Sequence, residues 1–248
     1  MAKVLSLLLL YLAFATVPLA AQSKAKKILL RAAEACEQVK QGSYEVSYRH
    51  KFFSSNDTLS KTGEVHFQKI TKDNVGAKLR LLVEDEPERL YTGEALYLVN
   101  HQQETIFQVD SAAGAFNFIR GNPSGNLVLN PLAADSDIFQ QLTRSSGIRI
   151  GKGKAVKVNG TTCFTIKISF PDNEVEQTQH SYRIYYIGKK DYLPRKYEDF
   201  LDWQGQHQYM MVELKNLQVN KPQEANLYSI NAFPDDYKVE KHKPKQAP

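Results

Sequence analysis

The chain has 248 residues and a formal net charge of +5, one unit of it on Lys3. Its basic residues are dispersed except between Lys238 and Lys245, so it lacks the one-sided stripe that tracks a phosphate backbone, and nucleic acid is excluded as a partner. The outstanding feature is aromatic: 13 Tyr and 12 Phe against a single Trp, many of them at alternating positions.

Residues 1–21 have the three-part layout of a secretory signal peptide: Lys3, an apolar run from Val4 to Val17, then Pro18 ahead of the small residues Ala20 and Ala21. The run is about 14 residues, short of the roughly 20 needed to span a bilayer, and Gln22, Ser23, Lys24 and Lys26 follow at once. Cleavage near Ala21 is expected to leave a soluble chain with no transmembrane anchor. In an oxidising compartment Cys36 and Cys163 raise the question of a disulfide. Cys36 falls on the apolar stripe of a helix and Cys163 on the polar side of a strand, which speaks against a bridge without closing the question.

Ser23 to Lys40 reads as a helix, with Ile28, Ala32, Cys36 and Val39 at helical spacing and Gly42 beyond its end. Ser43 to Phe53 then alternates strictly, Tyr44, Val46, Tyr48, His50 and Phe52 against Glu45, Ser47, Arg49 and Lys51, as a half-buried strand does. Strands are expected near Gly63 to Ile70 and Ala77 to Glu84, then over Arg89 to Thr92, Ala95 to Val99 and Glu104 to Val109. Their connections are too short for parallel crossovers, so the arrangement is a meander. Ser111 to Leu132, rich in Gly, Asn, Ala and Pro around Phe116 and Phe118, interrupts it. Asp135 to Arg144 reads as a short helix capped by Asp135 or Ser136. Ile148 to Val158 and Thr161 to Phe170 flank Asn159-Gly160, a hairpin signal with a stated mechanism. His180 to Ile187, Leu193 to Leu201 and Gln206 to Val219 follow as strands, and Lys238 to Pro248 reads as a disordered basic Pro/Lys tail.

The fold class is therefore mainly β (α+β): a single domain over residues 22–237, built as one large antiparallel curved sheet of about nine to eleven strands covered by two or three helices. The histidines show no zinc-hydrolase or finger spacing, and Asp135-Ser136-Asp137 is explained as a helix cap. Gly147 to Lys154 fails as a phosphate loop because its spacing is one residue short and Gly153 stands where a Ser or Thr must be. No nucleophile elbow or redox pair is present. The reading is of a non-enzymatic chain with no cofactor and no metal. Tyr44, Tyr48, Phe52, Phe67, Tyr97, Phe107, Phe164, Ile166, Ile168, Tyr182, Ile184 and Tyr186 are expected to line one concave face, either as a ligand cleft or as an ordinary core.

The order of helix, long Tyr-rich strand, meander, interrupted middle and long hairpins resembles the LolA/LolB-type lipoprotein-carrier superfamily. The passages that carry the likeness are Ala33-Glu34-Ala35-Cys36-Glu37-Gln38-Val39-Lys40-Gln41-Gly42-Ser43-Tyr44-Glu45-Val46 and Asp191-Tyr192-Leu193-Pro194-Arg195-Lys196-Tyr197. The resemblance implies a half-barrel around a helical lid, with a hydrophobic cavity that in the carriers takes acyl chains. It is a resemblance to secreted members like the domain that precedes thioredoxin-like domains, and it transfers no functional residue. The expected function is a periplasmic binding or carrier domain for a lipid, lipoprotein or other apolar ligand. The alternative is an envelope protein-interaction or scaffold domain with a closed core and a protein partner.

Overall fold

The computed structural model describes residues 23–53, 56–71, 75–109, 128, 132 and 137–241. The expected signal segment 1–21, most of the central interruption with Phe116 and Phe118, the proposed caps Asp135 and Ser136, and residues 242–248 lie outside the described residues.

Helix α1 spans 23–37. The first six strands are β1 (Gln41–Lys51), β2 (Thr58–Lys69), β3 (Ala77–Val83), β4 (Glu88–Tyr91), β5 (Leu96–Asn100) and β6 (Thr105–Val109). After helix α2 (Ile138–Arg144) come β7 (Arg149–Lys152), β8 (Val156–Val158), β9 (Thr161–Ser169), β10 (Thr178–Gly188), β11 (Pro194–Trp203) and β12 (Gln206–Val219). A 3-10 turn, Ile230–Ala232, precedes β13 (Lys238–Lys241). All thirteen strands join one curved, unclosed sheet in the order β13-β6-β5-β4-β3-β2-β1-β12-β11-β10-β9-β7, with β8 also on β9.

The fold class is the expected one, and the two strands beyond the expected range have local causes. Ile148 to Val158, read as one strand, is broken over 153–155 into β7 and β8, both paired to β9. The basic tail is corrected over its first residues: Lys238–Lys241 pairs with β6, the one parallel pairing among the described strands. Its side chains are all exposed, so main-chain hydrogen bonding holds it and no hydrophobic pattern announces it. The Asn159-Gly160 turn stands as expected, both residues at positive φ (44° and 79°) between Val158 and Thr161, the left-handed pair that a tight hairpin requires. Asn159 also donates to the carbonyl of Leu214 at 2.8 Å. Helix α2 begins later than expected, after Asp137, whose side chain makes no capping hydrogen bond.

Two apolar clusters lie on opposite faces of the sheet. On the inner face α1 buries Ala25, Leu29, Ala32, Ala33 and Cys36 against Tyr44, Val46 and Tyr48 of β1, Phe67 of β2, Leu79 and Leu81 of β3, and Val212 and Leu214 of β12. The carbonyls at the end of α1, which have no partner within the helix, are taken by distant side chains: Lys69 Nζ donates to Cys36 O at 2.6 Å and Asn220 Nδ2 to Gln38 O at 3.0 Å. The outer cluster is smaller. There Leu90, Val99 and Ile106 are covered by Phe233 with Tyr97, Tyr228, Ile230 and Tyr237, so the chain after β12 packs on the back of the meander. Glu88, 3% exposed, anchors that side by accepting from Arg80 Nε at 2.5 Å and meeting His101 Nε2 at 2.8 Å, while His101 Nδ1 lies 3.2 Å from Tyr237 Oη.

Candidate ligand-binding site

Antiparallel partners place their side chains on the same face, so the register fixes what the inner face carries. Across β1, β12, β11, β10 and β9 one row runs Tyr48, Val212, Tyr197, Tyr185 and Ile166. The next row toward the hairpin tips runs His50, Met210, Asp199, Arg183 and Ile168. Burial falls along these rows. Near α1, Tyr44, Tyr48 and Phe67 are no more than 1% exposed; Arg183, Asp199 and Met210 are intermediate; at the tips Phe52 and Trp203 reach 38% and 37%. α1 fills one end of the half-barrel, Val128 and Leu132 join the same cluster, and Phe139 of α2 packs edge-on against Tyr185 at 5.0 Å.

Beyond that cover lies a hollow of about 440 Å³, lined by Phe170, Ser181, Arg183, Asp199, Leu201 and Gln208 of the inner face, by Pro171, Asn173, Glu176 and Thr178 around the β9–β10 hairpin, and by Phe200 of the outer face. Its volume falls within the range of small-molecule sites, roughly 300–1,000 Å³. A hollow of about 610 Å³ is larger; it shares Phe170, Pro171 and Ser181 with the first but opens onto Arg149, Lys167, Ser169 and Tyr182 of the outer face.

The polar feature of the inner hollow is an ion pair. Arg183 Nη2 donates to Asp199 Oδ2, Arg183 Nη1 donates to Tyr185 Oη at 3.3 Å, and the guanidinium lies 5.5 Å from the centre of the Tyr197 ring. Burial opposes the charge on Arg183, but Tyr185 and Asp199 more than reverse this, so its pKa moves up and it stays a cation. Burial raises the pKa of the Tyr197 hydroxyl, which stays protonated. His50 is buried beside Tyr48, with Nδ1 2.8 Å from Tyr48 Oη, and desolvation lowers its pKa. The hollow is therefore mixed: Phe170, Pro171, Phe200 and Leu201 give it an apolar side, and Glu176, Gln208 and the internally neutralised Arg183–Asp199 pair a polar one. Among the described residues no group of three His, Cys, Asp or Glu could hold a metal ion.

Of the twelve expected lining residues, the structure brings Tyr44, Tyr48, Phe67, Phe107, Phe164, Ile166 and Ile168 onto the inner face, while Phe52, just past the end of β1, packs against the His50 ring at 3.7 Å. Tyr182, Ile184 and Tyr186 are corrected to the outer face, because Ile166 faces Tyr185 and Ile168 faces Arg183 across β9 and β10. Tyr97 is corrected likewise: it pairs with Leu90 and belongs to the outer cluster. Sequence reasoning missed Arg183, Tyr185, Asp199 and Met210. A signal for two of them exists, since Arg183 and Asp199 stand at matching distances on either side of the turn between β10 and β11. Both cysteines are free and fully buried, Cys36 in the inner cluster and Cys163 outside it.

No protein-family model and no curated protein matches the sequence. Among solved structures, MucB, which is also known in a complex with MucA from Pseudomonas aeruginosa, superposes with a TM-score of 0.50 at 15% identity, over 82% of this chain and 62% of that chain. Lipoprotein LppX of Mycobacterium tuberculosis follows at 0.46 and 12% identity, over 82% of this chain and 98% of that one. The LolA superfamily protein NE2245 of Nitrosomonas europaea gives 0.39 and 8% identity, over 84% and 99%. The likeness to MucB is one of fold, here an unclosed half-barrel of a largely antiparallel sheet wrapped on a helix.

Proposed function

We propose that this chain is a non-enzymatic periplasmic binding or carrier domain that holds a lipid, a lipoprotein acyl chain or another apolar ligand at the open end of its inner face. The observation that carries this is the burial gradient: the inner face is sealed by α1 at one end, and at the other Met210 and Leu201 are half-covered and Phe52 exposed. A face packed only for stability has no need to extend past its cover. The export signal read in residues 1–21 and the resemblance to the LolA/LolB-type carriers support the same reading.

Native mass spectrometry of the protein purified from its own host, paired with uptake of a fluorescent fatty acid, tests it. A bound mass that organic extraction removes is expected. Leu201→Lys, which sets a cation in the hollow, is expected to weaken uptake about tenfold, the equivalent of losing one buried apolar side chain. An empty mass together with no uptake overturns the proposal. A second reading, a scaffold that binds a protein partner, draws support from the closed packing at the α1 end and from the complex of MucB with MucA. A pull-down with defined stoichiometry and no lipid favours it.

A further inference from the structure

At the α1 end, away from the hollow, two rings carry three cations. Arg31 of α1 donates to Tyr192 Oη at 2.7 Å, and its guanidinium carbon lies 4.1 Å from the centre of that ring. Tyr192 lies 5.8 Å from Phe164 at the start of β9. The ammonium groups of Lys152 and Lys189 are 5.7 Å and 5.4 Å from the centre of Phe164. All three cations are exposed, and among the described residues none has a carboxylate partner. The carboxylate of the same turn, Asp191, is engaged by Arg195.

α1 extends the patch. Lys24 and Lys27 recur at helical spacing with Arg31 and are exposed, as is Leu30 at 41%. The charge order of this helix runs against its own dipole: cations crowd its first half, and Glu34 and Glu37 stand near its end. Both placements destabilise an isolated helix. Helix stability therefore does not explain the charge order, whereas attraction of an external anion does.

We propose that this end of the protein docks on an anionic lipid surface, through Arg31, Lys152 and Lys189 held on the rings of Tyr192 and Phe164. Long cationic side chains over aromatic rings, with an exposed Leu beside them, match the boundary where lipid phosphates lie above the acyl region. Phe164 and Phe170 are six residues apart on one extended segment, roughly 20 Å. Docking at the patch thus leaves the mouth of the hollow open to a second partner. The proposal does not depend on what the hollow holds.

The test is flotation of the protein, as its producing cell processes it, with vesicles of phosphatidylcholine alone and of phosphatidylcholine with phosphatidylglycerol. Binding is expected only to the anionic vesicles and is expected to weaken as salt rises from 50 to about 500 mM. R31Q/K152Q/K189Q is expected to lose roughly fivefold per cation, on the order of a hundredfold in all. The control R49Q/K51Q/K215Q removes equal charge from β1 and β12 and is expected to bind nearly as the parent does. Thermal unfolding checks that both variants fold, and fatty-acid uptake in solution is read separately on each. Equal binding to neutral vesicles, no binding, an equal loss in the control, or tighter binding to soluble polyglutamate than to anionic vesicles overturns the proposal, the last outcome pointing to an acidic protein partner.

Discussion

Asp199→Asn removes the counter-charge of Arg183 at constant volume and so isolates the one ion pair that borders the hollow. Both side chains are about a quarter exposed, 26% and 25%. Breaking a fully buried pair by removing one partner costs about 3–5 kcal/mol, and an exposed pair contributes about 0–1 kcal/mol. With three quarters of each side chain withdrawn from water, and Tyr185 Oη still accepting from Arg183, the expected loss is about 2 kcal/mol. Replacing both partners by apolar residues, R183M/D199L, leaves no unpaired charge and is expected to return to within about 1 kcal/mol of the parent. Urea unfolding of the parent, D199N, the single variants R183M and D199L, and the double variant closes the cycle. A loss below about 0.5 kcal/mol in D199N, or a double variant as unstable as the sum of the singles, refutes the reasoning and shows a pair already solvated. If the double variant is stable yet binds fatty acid less tightly, the pair serves the polar end of the ligand and not the fold.

Lowering pH is expected to test His50. Burial holds its folded pKa below the ordinary 6.5, so the unfolded chain binds the proton first; stability is full above about 6.5 and falls as pH drops through the window below it. Urea midpoints at pH 7 and pH 5 should show a smaller drop in His50→Gln than in the parent, and an equal drop rules against His50 as the group responsible. The thiols should be silent in the folded protein, since burial pushes Cys36 up to about 12 and also raises Cys163. Ellman's reagent without reductant is expected to find both thiols after unfolding in guanidinium and neither at an appreciable rate before; no thiol after unfolding means a disulfide. Gly42→Ala is expected to cost about 1–3 kcal/mol, because a Cβ there would stand 2.6 Å from the carbonyl oxygen of Gln218 and 2.9 Å from the Phe67 ring. An unchanged melting temperature contradicts the close approach of β1 to β12.

The sequence made the meander legible because β1 alternates cleanly between Tyr44, Val46, Tyr48 and exposed polar residues, and because Asn159-Gly160 allows only one kind of turn. It did not make the faces of β10 legible. Tyr182, Ile184 and Tyr186 on one side and Tyr185 and Ile187 on the other give apolar character to both, and the irregular register between Gln179 and Tyr182 hides the phase. Pairing decides what periodicity leaves ambiguous: Tyr185 sits opposite Ile166 and is buried, and the site residues follow from it. β13 escaped for another reason, since a strand held only by its backbone beside β6 carries no side-chain signature.

The aromatic abundance that first suggested a cavity thus divides between two faces that use it differently. On the outer face Tyr182 stacks on Phe200 at 5.1 Å, Lys167 lies 3.9 Å over Tyr182, and Lys196 lies over Tyr186 while pairing with Glu198. Tyr182, Phe200 and Tyr186 are each roofed by a charge or another ring, which lets a half-exposed aromatic surface tolerate water without a ligand. On the inner face no such roofing cation accompanies Met210, Leu201 or Phe52 among the described residues, and Arg183 is spent on Asp199 and Tyr185. Composition therefore overstates the case for a cleft, since the outer rings are accounted for without one. What points to an apolar ligand is not the count of rings but the half-covered Met210 and Leu201 at the open end of the inner face, with Phe52 set against the His50 ring beside them.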